Sequence, residues 1–326
     1  MKHAASALRP YFATVCILWV LGTAAGLIYA QQKNLPQAVV AGALPALLME
    51  IAMYAGAGFE SVRVWLKRQR WRAPLILIVS AVVPYATMSL TFGNFRAGDL
   101  AMVTALAGAA VFWHRLFPKH IALDLLFLVF AAWVYASRTF PGIYVNPAGK
   151  PALDIVGRMM WIRLLVVVLL MGGTGGVEFS FVPNRSQWRT GLLYYLYALL
   201  PVLALSWALG IVHGPAAWSG RTLLLAIGTF LGFLWVVGLA EEFFFRGLLQ
   251  PTMQRITGSA WIGLAITSIV FGLVHLGFRE FPNWRFALVA GVCGVFYGLA
   301  YSRTKSVLAS TVTHALLVMT WRVFFV

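Results

Sequence analysis

Long apolar runs recur along the whole chain and limit its fold more than any other feature of the sequence. They lie near residues 11–30, 38–59, 73–93, 100–114, 120–137, 157–176, 190–212, 221–243, 259–277, 286–301 and 306–325. A bilayer core is crossed by about 20 apolar helical residues, and backbone polar groups inside it must be hydrogen-bonded within the protein. The pattern therefore predicts an all-α, polytopic transmembrane helix bundle of about 9–11 spans.

Positive charge is concentrated in the short connections between these runs. The charged fraction is 10% and the formal net charge is +16, whereas soluble domains carry about 25% charged residues. The densest basic connection, residues 60–72, is predicted to be cytoplasmic by the positive-inside rule. Alternating spans from there place residues 241–246 towards the cytoplasm. The charges predict topology and contact with the lipid bilayer, and they do not indicate nucleic acid as a partner.

The polar loop at residues 138–154 is a predicted boundary between two regions. Residues 1–140 form an N-terminal helical membrane region to which the sequence assigns no role. Residues 155–326 form a helical core whose apolar runs carry most of the unusual ionisable side chains. Arg outnumbers Lys, and Ala, Gly and Trp are plentiful, which is typical of GC-rich bacteria. We therefore expect an integral multi-pass protein of a bacterial inner membrane.

Two adjacent carboxylates, Glu241 and Glu242, follow the uncharged run Leu223–Ala240. The chain has only nine acidic residues, and ionisable groups beside a bilayer are expensive and usually functional. Glu242 and Arg246 have the i,i+4 spacing and the Glu-first order that favour an ion pair. Glu241 lies about 100° away around a helix, so it is free to act as a general base. From these residues alone, a structural salt bridge at a helix end is an equally good interpretation.

Two histidines also lie within or beside apolar runs. His275 follows the run Ile262–Val274, where a lone histidine is more often a packed or interfacial residue. His314 lies in the middle third of the run Val307–Phe325, where an imidazole must find a polar partner. Two histidines and a glutamate from three helices could therefore meet in one pocket.

These residues resemble the ordered motifs of the CAAX-protease and bacteriocin-processing (CPBP) family, which includes the Ras-converting enzyme and is called ABI in bacteria. The resemblance covers about residues 190–326, and its motifs are Glu241-Glu242-x-x-x-Arg246, Phe271-x-x-x-His275 and His314. It implies an intramembrane glutamic endopeptidase similar to CAAX prenyl proteases. Such an enzyme hydrolyses a peptide bond near the C-terminus of a membrane-associated protein or peptide, using a glutamate-activated water.

The resemblance also implies a role for each motif residue. Glu241 is the general base, and Glu242 and Arg246 fix its helix and its electrostatic surroundings. His275 and His314 stabilise the oxyanion or orient the water. One position departs from the family pattern, because Val318 stands where the family usually has Asn or Asp.

Three alternatives remain open from the sequence. No cofactor is expected, but two histidines and a glutamate can bind catalytic zinc, although the His-Glu-x-x-His motif is absent. The departure at Val318 fits a catalytically inactive scaffold or immunity protein of the same fold. Buried Glu50 and Asp124, with Glu241, fit an ion-coupled transporter. In the alternative structural interpretation, Glu50 pairs with a basic residue on a neighbouring helix, and Asp124 pairs with His120.

Overall fold

The computed structural model describes residues 2–118, 120–172 and 179–325, with the backbone alone at residues 2–6. The described residues form helices and no β-strand, which confirms the predicted all-α fold. In chain order the helices are α1 (Lys2–Gln32), α2 (Gln37–Gly58), α3 (Glu60–Arg68), α4 (Arg72–Phe92), α5 (Ala97–Leu116), α6 (Ile121–Ala136), α7 (Thr139–Ile143), α8 (Asp154–Gly172), α9 (Arg185–Ala208), α10 (Gly220–Trp235), α11 (Val237–Glu242), a π-helical segment (Phe243–Leu249), α12 (Gln250–Thr257), α13 (Ala260–Leu273), α14 (Trp284–Thr304) and α15 (Val307–Phe324).

Eight of the described helical segments are long and apolar enough to cross a membrane. They are Ala7–Gln32, Gln37–Gly58, Arg72–Phe92, Ala97–Leu116, Arg185–Ala208, Gly220–Thr257, Trp284–Thr304 and Val307–Phe324. Ile121–Ala136 and Ala260–Leu273 are shorter apolar helices. The apolar runs of the sequence thus lie in helices at nearly the expected positions, except that residues 173–176 of the run near 157–176 lie outside the described residues. The chain is an integral, multi-pass membrane protein.

The chain divides into two compact units, residues 1–174 and 175–326. In the first unit α2 packs against α1, α4 and α8, and α4 packs against α5. Helix α8 therefore belongs with the N-terminal helices by packing, although it follows the 138–154 loop. The different roles assigned to residues 1–140 and 155–326 stay predictions.

In the second unit α15 is the central helix. It packs against α9, α10, α11 and α14, and most of its residues are buried. Close approach to α9 depends on Gly191, because a Cβ atom there would lie 2.6 Å from Val312 and 2.9 Å from the Ala309 carbonyl oxygen. Small residues at helix crossings allow this kind of backbone contact in membrane proteins. The buried polar residues of α15 are thereby held against neighbouring helices.

Candidate active site

The glutamate pair lies where one long apolar segment changes its helical geometry twice. Helix α10 ends at Trp235, and Val236 has a non-helical backbone (φ −127°, ψ −77°). The short helix α11 then carries Glu241 and Glu242, and the π-helical segment Phe243–Leu249 follows directly. π-Helical turns are rare and are found frequently at functional sites. Here the irregular stretch places the carboxylates beside α14 and α15.

The predicted ion pair between Glu242 and Arg246 is present and fully buried. Arg246 Nη1 donates to Glu242 Oε1 at 3.0 Å, and both side chains have no exposed area. Arg246 Nη2 also donates to the Gly294 carbonyl oxygen at 2.9 Å. The guanidinium carbon lies 4.5 Å from the ring centroid of Phe271 and 5.3 Å from that of Tyr297. These contacts compensate a charge that has lost its water.

His314 completes this cluster from α15. Its Nδ1 lies 2.9 Å from Glu242 Oε1, the same oxygen that accepts from Arg246. Because an ionised carboxylate only accepts hydrogen bonds, we assign the proton to Nδ1 of His314, which leaves Nε2 as an acceptor in the neutral ring. The imidazole stacks on Tyr297 with the ring centroids 4.5 Å apart and the planes 13° apart. Glu242 therefore fixes the orientation of His314 as well as that of Arg246.

Glu241 faces His314 across a short gap. Its Oε2 lies 3.9 Å from His314 Nε2, which is too long for a direct hydrogen bond. The Glu241 side chain is 25% exposed, whereas that of His314 is 4% exposed. Glu241 is thus the partly accessible member of an otherwise buried group.

Several buried polar atoms of this cluster have no hydrogen-bond partner among the described residues. They are Glu241 Oε2, Glu242 Oε2, Arg246 Nε and Gln250 Oε1. Native proteins leave few buried polar atoms unsatisfied, and such atoms tend to mark catalytic or strained sites. Their concentration around one helix end is the feature expected of a site that binds a polar ligand.

His275 is connected to this group through aromatic rings. It lies in the turn after α13, and its Nδ1 is 2.7 Å from the Phe271 carbonyl oxygen. A carbonyl oxygen only accepts, so Nδ1 carries the proton, and Nε2 can donate only when the ring is protonated. The Phe271 ring lies 4.7 Å from that of His275 and 5.9 Å from that of His314. The structure therefore clusters Glu241, Glu242, Arg246 and His314, and it places His275 beside them across Phe271.

The polar residues near Val318 are engaged elsewhere. Val318 itself is buried. Thr313 Oγ1 donates to the Gly191 carbonyl oxygen at 3.0 Å, and Thr320 Oγ1 lies 2.9 Å from Tyr195 Oη. Thr313 and Thr320 therefore hold α15 against α9, and they do not replace the polar group that the family usually has at position 318.

Sequence reasoning missed Tyr297, Gly294 and Gln250. Gln250 is fully buried, and its Nε2 donates to the Gly298 carbonyl oxygen at 3.3 Å and to Ser302 Oγ at 3.0 Å. The spacing Gly294-x-x-x-Gly298 is a small-residue pattern typical of close helix contact, and Arg246-x-x-x-Gln250 continues the face of the ion pair. Both patterns indicate that the buried groups pack on α14. Neither pattern identifies Tyr297, because its stacking on His314 depends on how closely α14 packs against α15.

Two of the three acidic residues proposed for ion transport, Glu50 and Asp124, lie in the first unit and have partners there. Arg163 donates to both oxygens of Glu50, at 2.8 and 3.1 Å, so the expected pairing of Glu50 with a neighbouring helix is confirmed. The expected pairing of Asp124 with His120 is wrong. His120 is the N-cap of α6 and accepts from the Ala122 backbone, whereas Asp124 lies 3.7 Å from His114 Nδ1. The i,i+4 spacing does not bring the two side chains together, because His120 precedes the first residue of α6.

Within the described part of the chain, no group of three His, Cys, Asp or Glu residues is arranged to hold a metal ion. In the comparisons with known proteins, residues 224–320 match the family model described as Type II CAAX prenyl endopeptidase Rce1-like. The matched segment contains all the candidate residues from Glu241 to His314, and for residues 224–320 it confirms the family indicated by the sequence motifs. The comparisons with curated proteins and with solved structures gave no match.

Proposed function

Because residues 224–320 form an Rce1-like domain of the CPBP family, we propose that this protein is an intramembrane glutamic endopeptidase. It hydrolyses a peptide bond near the C-terminus of a membrane-associated protein or peptide. The family match and the membrane-spanning helices support a membrane protease acting on a substrate in or at the bilayer. The observation that carries the proposal is the 3.9 Å separation of Glu241 Oε2 and His314 Nε2.

A water molecule fits this separation. It can lie about 2.8 Å from both atoms, within the normal range for hydrogen bonds. Both atoms then act as acceptors, so the two protons of the water point towards Glu241 and His314. A lone pair of the water oxygen is left to attack a peptide carbonyl carbon. In this geometry Glu241 is a general base of the kind that accelerates hydrolysis by about 100- to 10,000-fold.

The proposed reaction needs no covalent enzyme intermediate. Glu241 accepts a proton as the water oxygen bonds to the carbonyl carbon, and a tetrahedral oxyanion forms. The protonated Glu241 then gives that proton to the leaving nitrogen as the carbon–nitrogen bond breaks. Glu242 and Arg246 position His314 throughout, and His275 can donate to the oxyanion from Nε2 when its ring is protonated.

The proposed location follows from the charge pattern. With the basic residues of the 60–72 connection in the cytoplasm, the Glu241 end of its helix also lies on that side. The substrate therefore presents its scissile bond near the cytoplasmic face of what we propose is a bacterial inner membrane. Zinc held by the same glutamate and histidines is the alternative that the experiment must separate.

The test is cleavage of a membrane-peptide library by the purified wild-type protein, by Glu241→Gln and by the control Glu280→Gln. Glu280 is exposed in the α13–α14 loop, so its variant makes the same chemical change away from the site. We expect Glu241→Gln to lose cleavage by about 100-fold or more, and Glu280→Gln to retain it.

Each assay is repeated with a chelator. Cleavage that persists in chelator but is lost in Glu241→Gln supports the glutamate-activated water. Loss in chelator with recovery in zinc would make His275 and His314 metal ligands. Equal cleavage by wild type and Glu241→Gln would contradict the mechanism. If no variant cleaved any peptide, the inactive scaffold suggested by Val318 would be favoured.

A further inference from the structure

A cavity of about 320 Å³ lies in the first unit, far in sequence from the candidate active site. It is formed by the end of α3, the start of α4, and the ends of α5 and α8. Its lining contains no acidic residue. The basic members are Lys67, Arg70 and Arg115, with His114 beside them, and the apolar members include Leu77, Val111 and Val168.

Charge and apolar surface are separated by depth in this cavity. Lys67, Arg70 and Arg115 come from helix ends or turns. Leu77 lies five residues into α4, which is about 8 Å along the helix, and Val111 lies one turn before Arg115. The exposed Trp71 and Leu116 flank the basic end, each with 72% of its area exposed. Tryptophan at the end of a span is typical of the bilayer interface, so the cations lie at headgroup level.

The three cations have no ion-pair partner among the described residues. Asp124 lies 3.7 Å from His114, the histidine of the cavity lining. Arg70 also has a left-handed backbone (φ 50°), a conformation that non-glycine residues rarely keep without a reason. Unpaired cations that converge above apolar side chains are complementary to a phosphate group attached to an acyl chain.

We propose that this cavity binds an anionic phospholipid. The phosphate lies among Lys67, Arg70 and Arg115, and the first methylenes of one acyl chain lie against Leu77, Val111 and Val168. The site is independent of the proposed peptidase chemistry. The N-terminal helices would then bind anionic lipid in the leaflet at which the basic connections of the chain lie.

The experiment measures lipid bound to the purified full-length protein by native mass spectrometry from phosphatidylcholine micelles doped with phosphatidylglycerol. We expect the wild type to retain phosphatidylglycerol, and the triple variant Lys67→Gln, Arg70→Gln, Arg115→Gln to bind it about 100-fold more weakly. Lys67, Arg70 and Arg115 are exposed, and the control triple Arg189→Gln, Arg255→Gln, Arg303→Gln removes the same charge from exposed positions that do not line the cavity, so it should bind normally. Glu241→Gln should also bind normally.

Further variants and competitors identify the ligand and test whether a loss of binding reflects misfolding. The charge-conserving triple Lys67→Arg, Arg70→Lys, Arg115→Lys should bind within a few-fold of wild type, and Val168→Phe, which fills the apolar part, should bind about 10-fold more weakly. Equal loss in the control triple would overturn the proposal in favour of nonspecific charge attraction. Inorganic phosphate that competes as strongly as the lipid would overturn the acyl-chain contact, and so would normal binding by Val168→Phe. A last competition compares an acidic peptide with added phosphatidylglycerol. If the peptide displaced all the bound lipid from wild type at the lower concentration, the cavity would be assigned to a protein partner instead.

Discussion

The two units each contain a buried Glu–Arg pair, and the two pairs differ in how completely their polar atoms are used. In the first unit Arg163 binds both oxygens of Glu50 and also donates to Ser80 Oγ at 2.8 Å. In the second unit Arg246 reaches one oxygen of Glu242, and His314 shares that oxygen. Glu242 Oε2 and Arg246 Nε have no protein partner among the described residues.

Under the proposed function, this difference distinguishes a structural ion pair from one that belongs to the active site. Burying two charges costs several kcal/mol of solvation per ion, and a closed, bidentate geometry recovers most of that cost. The Glu50–Arg163 pair is closed in this sense and can be replaced by apolar residues of similar volume. The Glu242–Arg246 pair is open, because Glu242 Oε2 and Arg246 Nε have no partner among the described residues and Glu242 Oε1 also contacts His314. The sequence position of each pair within an apolar run gives no sign of this distinction.

The largest expected effect comes from replacing each pair with apolar residues. Glu242→Leu with Arg246→Met should reduce peptide cleavage by about 100-fold or more, because His314 loses the carboxylate that orients it. Glu50→Leu with Arg163→Met should leave cleavage within a few-fold of wild type, since the hydrogen bonds of that pair join residues of the first unit. Cleavage assays on the two purified double variants make the comparison. Equal inactivation by both would refute the assignment of different roles.

Breaking one partner of the closed pair should chiefly affect stability. Arg163→Met leaves Glu50 buried without its cation, which should cost about 3–5 kcal/mol of unfolding free energy. Denaturant unfolding in detergent measures this loss. Arg158→Met, on the same helix but 26% exposed at the side chain, is the control and should cost much less. The double replacement of Glu50 and Arg163 should recover most of the stability, and a double variant as unstable as Arg163→Met would contradict this view.

A third prediction tests the aromatic support of the open pair. Tyr297 stacks on His314 and lies over the Arg246 guanidinium. Tyr297→Leu should lower kcat by about 10-fold, since such ring contacts contribute about 1–2 kcal/mol. The substrate KM should change little, because Tyr297 positions His314 rather than substrate. Tyr297→Phe keeps the ring and should keep most of the activity. If Phe were as damaging as Leu, the hydroxyl rather than the ring would be the important group.

The fold was predictable because a bilayer demands apolar helices of nearly fixed length. The run near 73–93 became α4 (Arg72–Phe92), and the run near 286–301 became α14 (Trp284–Thr304). The sequence could not show that the run near 221–243 continues through a break at Val236 into a π-helical segment. That irregularity depends on packing against other helices, and no local composition signals it.

The site was predictable only where its contacts are local. The Glu242–Arg246 pair follows from i,i+4 spacing and is present at 3.0 Å. Glu242 and His314 are 72 residues apart, and their 2.9 Å contact depends on how α11 meets α15. Tyr297 carries no charge to mark it. Motif order grouped residues that lie near one another in the structure, but it could not show which of the two histidines shares the carboxylate.

The smallest expected effect concerns the third partner of the closed pair. Ser80→Ala removes the hydroxyl that accepts from Arg163 Nη1 at 2.8 Å, while the Ser80 backbone oxygen and both Glu50 oxygens remain. The loss should be about 1–2 kcal/mol of unfolding free energy, as expected for one hydrogen bond to a charged group. Ser89→Ala, on the same helix, removes a buried hydroxyl that donates to the Ala86 carbonyl oxygen at 3.4 Å, and should cost less. Cleavage should be unchanged in both variants. If Ser80→Ala lowered cleavage as well as stability, the Glu50–Arg163 pair would be coupled to the candidate site. The two ion pairs would then not be independent.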